Sequence, residues 1–124
     1  MKYLDINSEV DNLSSGYKEY WTKEKKIIIK VGFELGLSSE EIEHLMQIRF
    51  ACIKAKNLEI DNNSGKLTKG QIAKNNIEIK KLDSLVGEHL IASESYVKQA
   101  GDKMKEIRQS EEQKSKVVKS EPKK

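Results

Sequence analysis

Residues 34–49, ELGLSSEEIEHLMQIR, hold the end of one helix and the start of the next. Gly36 follows an apolar-periodic segment, and a glycine there readily takes the left-handed conformation that ends a helix. Ser38 and Glu41 stand in the S-x-x-E relation of a capping box, in which each side chain satisfies a backbone N–H of the other residue. Glu40, Glu41 and Glu43 crowd the first turns, where the helix dipole favours negative charge. The stretch therefore predicts a sharp, capped corner between two helices.

Upstream of the corner, Tyr17, Tyr20, Trp21, Ile27, Ile28, Val31 and Leu35 recur on one helical face, which predicts a first long helix over about 15–35. Ile29 and Phe33 fall off that stripe, which implies a second contact surface, internal or with a partner, and makes them a candidate partner patch. Downstream, Ile42, Leu45, Met46, Ile48, Phe50, Cys52 and Ile53 give a second helix with a broad apolar face, expected to end near Asn57. Cys52 is expected to be a small core residue. Glu24 and Arg49 each lie inside an apolar stripe, at nearly equal distance along the chain from Leu37. Antiparallel packing of the two helices would bring them together as a partly buried ion pair, because a buried charge needs a partner.

Residues 58–70 carry Asp, Asn, Ser and Gly and read as a turn, with Leu58, Ile60 and Leu67 available to pin it or to form a small hairpin. Thr68 and Gln71 make a second capping box. Beyond it Ile72, Ile79, Val86, Ser93, Ala100 and Ile107 repeat every seven residues. Leu90, Val97 and Met104 run beside them, and Leu82, His89 and Tyr96 occupy the next row. One helix from Thr68 to about Gln109 would be roughly 60 Å long. A domain of this size has a radius of gyration of only about 14 Å. Such a helix would overhang its own domain and pair with a second copy through Ile79, Val86, His89, Leu90, Tyr96, Val97, Ala100, Met104 and Ile107. The alternative is a break near Gly87 that yields a four-helix bundle.

The first residues, up to about 16, read as a short lead-in with a small helix capped at Asn7 or Ser8. Residues 113–124 are polar and lysine-rich, and an unstructured tail is expected there. The fold class is thus all-α: one domain over 1–112, an antiparallel hairpin packed on a long C-terminal helix.

Composition narrows the function. The 124 residues are 36% apolar and 35% charged, with a net charge of only +3, less than a dedicated nucleic-acid binder usually carries. No apolar run is long enough to span a bilayer. A single cysteine excludes an internal disulfide framework and fits a reducing compartment, so a cytoplasmic location is expected. The triplets at Asn12 and Asn62 match a glycosylation acceptor by chance in that setting.

Around the corner, Gly32 serves as a small residue and Gly36 as the turn glycine, while Val31, Leu35, Leu37, Ile42 and Leu45 fill the surrounding apolar places. Residues 28–47 thus resemble the DNA-binding helix-turn-helix at its structural positions. That resemblance implies a small dimeric nucleic-acid-binding regulator. The start of the second helix, which would approach bases between phosphates, instead carries Glu40, Glu41 and Glu43 with no Arg or Lys before Arg49. Nucleic acid is therefore the less favoured partner.

Other chemistry is missing by position. An EF-hand beginning at Asp61 would need glycine where Lys66 stands and glutamate where Ile72 stands. A phosphate loop at Gly65-Lys66 lacks its upstream glycine, at Ile60, and its following Ser or Thr, at Leu67. His44 and His89 have no partners at zinc-motif spacing. No catalytic constellation, cofactor or metal is expected. The expected function is a non-enzymatic helical interaction module, of the adaptor, assembly or secretion chaperone, immunity or inhibitor kind. It would bind a protein partner and self-associate.

Overall fold

The computed structural model describes the backbone of residues 1–120 and the side chains of residues 1–112. The protein is all-α. In chain order it has α1 (Ile6–Glu9), a 3-10 turn (Val10–Asn12), α2 (Ser15–Leu35), α3 (Ser39–Asn62), α4 (Lys69–Ala92) and α5 (Val97–Ser120). No strand occurs among the described residues, so the segment after Ile60 is a turn and not a hairpin. The expected lysine-rich tail, 113–124, lies outside the residues whose side chains are described.

The α2–α3 corner is built from its local chemistry. Gly36 takes φ 67°, and the N–H of Leu37 donates to the carbonyl of Gly32 at 2.8 Å. Ser38 and Glu41 exchange both bonds of the capping box, at 2.8 and 3.1 Å. Thr68 and Gln71 do the same for α4, at 2.9 and 3.2 Å. α3 runs on to Asn62, beyond the expected end near Asn57, because Asn57 is buried and used in packing. The small N-terminal helix is capped by Asp5.

α3 is the central helix. Phe50 and Ile53 on one side join Trp21, Ile28 and Val31 of α2, Tyr96 of the turn before α5, and Ala100 and Met104 of α5 in the larger core. Ala51 and Ala55 on another side meet Leu82 and Leu85 of α4 in a second, smaller core. A methyl group at each alanine lets α4 settle close to α3. Cys52 lies between these two seams and is exposed, not part of the core. Tyr20 and Ile60 are also exposed.

The single long helix expected from Thr68 to Gln109 is replaced by two helices with a turn over Ser93–Tyr96. Gly87, the expected alternative breakpoint, lies inside α4. The turn has a physical cause. Ser93 is fully buried, and its hydroxyl donates back to the carbonyl of His89 at 2.7 Å. Such back-bonding competes with the helical ladder. Tyr96 then donates its hydroxyl to the carbonyl of Glu41 at 3.1 Å, pinning the turn to the start of α3. Burial raises the Tyr96 phenol above its usual range, with further help from Glu41, Glu40 and Tyr3.

Candidate protein-binding face

Four groups of functional candidates came from the sequence, and the structure treats them differently. The seven-residue row divides between the two cores. His89, Tyr96, Ala100 and Met104 are buried within their own chain. Ile79 and Val86 pack beside the smaller core, and Val97 and Ile107 beside the larger one. Leu90 alone of this set is exposed. The row was legible as apolar periodicity, yet its surface is largely used inside the fold.

Glu24 and Arg49 are brought together. The Glu24 carboxylate is 1% exposed and accepts from Arg49 Nε at 2.7 Å. It also accepts from Arg108 of α5, Nε at 2.9 Å and Nη2 at 2.5 Å. Burial pushes the Glu24 carboxyl up, but Arg108 and Arg49 more than reverse this and hold it below its usual range. The same contact raises Arg108. Arg49 also donates to the Tyr20 hydroxyl and lies over that ring. One carboxylate thus ties α2 to α3 and α5.

The N-terminal segment is strapped across α3 by residues the sequence reading did not single out. Gln47 accepts from the Leu4 N–H at 2.7 Å and donates to the Leu4 carbonyl at 3.0 Å, imitating a backbone pair. Asn57 accepts from the Ser14 N–H at 3.0 Å. Lys54 bridges Glu9 and Glu78, the latter at 3.3 Å. Burial lowers the Lys54 ammonium, and the two carboxylates outweigh that and raise it.

His44 and His89 meet through their Nδ1 atoms at 2.8 Å, and His89 Nε2 lies 2.8 Å from the Lys2 carbonyl. A carbonyl only accepts, so His89 carries its proton on Nε2 and His44 donates from Nδ1. Tyr3 caps the pair edge-on, 4.8 Å from the His89 ring centroid. No cluster of three or more metal-binding side chains occurs among the described residues. Burial raises the Cys52 thiol, Arg49 opposes this and Asp83 adds to it.

Ile77, Leu90 and Ile91 of α4 are exposed, and so is a face of α2. Phe33 is 79% exposed and Ile29 36%, and the two stand one helical turn apart. Lys25, Lys26 and Lys30 are exposed beside them. None of these lysines has an ion pair among the described residues. The one carboxylate in the last turn of α2, Glu34, faces Lys103 of α5 at 3.7 Å. Lys25 also lines a concavity of about 400 Å³ where the N-terminal strap crosses α2 and α3, bordered by Tyr3, Ile6, Trp21, Glu43 and Met46. Chemically this is an apolar ridge flanked by lysines, next to a hollow lined by Lys25, Asp5 and Glu43 as well as apolar side chains. No family model, curated protein or solved structure matches the chain.

Proposed function

We propose that the protein is a non-enzymatic helical interaction module that binds a protein partner through the outward face of α2. The observation carrying this reading is the exposure of Phe33. A phenylalanine at 79% exposure on a well-packed helix leaves apolar area in water that a partner would cover. Ile29 enlarges the ridge, and aromatic anchors of this kind dominate interface energetics. The cytoplasm is the proposed place of work, on the strength of the single cysteine.

The competing reading is a nucleic-acid-binding regulator using the α2–α3 corner. His44 and Gln47 would be its base-reading side chains. Both are buried and bonded inside the chain, and Glu41 is committed to the capping box. The partner-protein reading is therefore preferred.

The test is a photoreactive phenylalanine analogue at position 33, irradiated in cells of the native source, with the same analogue at exposed Lys69 as control. The expected result is a discrete protein adduct from position 33 alone. An adduct between two copies identifies self-association as the interaction. A nuclease-sensitive adduct, or none, refutes the protein-binding reading.

A further inference from the structure

We infer that the partner segment docking on α2 is an acidic peptide carrying large apolar side chains, with its carboxylates over Lys26 and Lys30 and an apolar anchor in the hollow beside Lys25. This rests on the protein-binding reading above and adds the chemistry of the occupant.

Three features of the face converge on it. Lys26, Ile29, Lys30 and Phe33 are separated by three and four residues, so they form one contiguous patch. The lysines lack ion-pair partners among the described residues, while the nearby Glu34 faces Lys103 instead. Glu34, four residues after Lys30, is thus, among the described residues, the one carboxylate beside these lysines and is drawn toward α5, and an acidic partner would complement the remaining positive charge. The hollow is the third feature. At about 400 Å³ it has room for a large side chain, which Ile6, Trp21 and Met46 would contact on a lining that also carries Asp5 and Glu43.

The same shape separates this occupant from other anionic ones. A bilayer is flat and meets the ridge but leaves the hollow unfilled. A nucleic acid, charged at every phosphate, would set that charge against Asp5 and Glu43 in the hollow, where a peptide can place an uncharged side chain. A peptide fits both, because each residue projects independently.

A phage-displayed library of random peptides is panned against the whole protein. Selected peptides are then measured by anisotropy against the natural chain, Phe33→Ser and the double variant Lys26→Glu, Lys30→Glu. These residues are exposed, so circular dichroism should report an unchanged fold. The sole tryptophan, Trp21, lines the hollow and gives a second readout by fluorescence. The expected outcome is enrichment of Asp and Glu beside Leu or Phe. Affinity should fall about tenfold or more in each variant, as for loss of a central anchor or of paired charge. Lysine-for-glutamate versions of the peptides should recover binding to the charge-reversed variant. Phe33-dependent peptides without acidic enrichment overturn the acidic occupant and leave the protein-binding reading standing. No Phe33-dependent peptide at all overturns both. Phosphatidylserine vesicles and a single-stranded oligonucleotide are run beside the peptides. If either binds in a Phe33-dependent way while no acidic peptide does, the inference is overturned in favour of that surface.

Discussion

Replacing Glu24 by Gln keeps the shape of the side chain and removes its charge. In the natural chain the carboxylate accepts three guanidinium bonds, one from Arg49 and two from Arg108. The amide keeps one carbonyl acceptor and turns an NH2 group toward a cation, so at least one of the three is lost and those that remain go to an uncharged acceptor. A hydrogen bond to a charged group contributes about 1.5–3 kcal/mol. Both arginines remain near one-third exposed, at 29% and 33%, and water recovers part of what the carboxylate supplied. The expected cost is therefore about 2–3 kcal/mol, below the roughly 3–5 kcal/mol of breaking a fully buried pair. With a urea slope of about 1.5 kcal/mol/M, the midpoint should fall by roughly 1–2 M.

The pH dependence gives an independent check. The Glu24 carboxyl is held below its usual range in the folded protein. Its contribution is thus complete above the unfolded glutamate value of about 4.3 and is lost as pH falls through the lower folded value. Urea midpoints measured by circular dichroism at neutral pH and through the acid range should decline more steeply for the natural chain than for Glu24→Gln. A loss under about 1 kcal/mol at neutral pH, or parallel acid limbs for the two proteins, would refute the reasoning. Removing Arg108 in the Glu24→Gln background should cost less than removing it alone, the mark of a coupled pair.

Two further expectations concern the scaffold. A Cβ at Gly32 would lie 2.5 Å from Cδ1 and Cγ1 of Ile42, so Gly32→Ala should destabilise by about 1–3 kcal/mol, and trimming Ile42 to Val should recover part of it in thermal melts. Gln47→Ala removes both bonds to Leu4, so hydrogen exchange should speed up at the Leu4 amide while the α3 amides near Phe50 keep their protection. Loss of protection in both places would mean that the strap is part of the cooperative core.

The corner at Gly36 and Ser38 was legible because its causes are local. A left-handed glycine and a reciprocal cap involve residues within five positions of one another. The Glu24–Arg49 contact followed from helix periodicity, since each residue interrupts an apolar stripe. Arg108 was not assignable in the same way, because its place beside Glu24 depends on where the chain turns after α4. Gln47 and His44 carry no local sign of burial in the sequence. Their partners lie more than forty positions away, and nothing local signals a buried polar bond to a distant backbone. Cys52 was misplaced for a related reason. A helix packed on two sides buries Ala51 and Ile53, and the residue between them falls outside both seams.

The sequence by itself determined an all-helical chain, the capped starts of α3 and α4 and the place of Ile29 and Phe33 off the main apolar stripe of α2. Those features arise from interactions spanning a turn or two of helix. Tertiary structure decided the rest. It divided the long apolar row at Ser93, because a fully buried serine bonds backward and Tyr96 is held by the Glu41 carbonyl. That fold-back brings α5 onto α2 and α3 and spends most of the row on the chain's own core. An unbroken seven-residue repeat records only that one face is apolar, and the same face serves a second copy or a returning helix equally well.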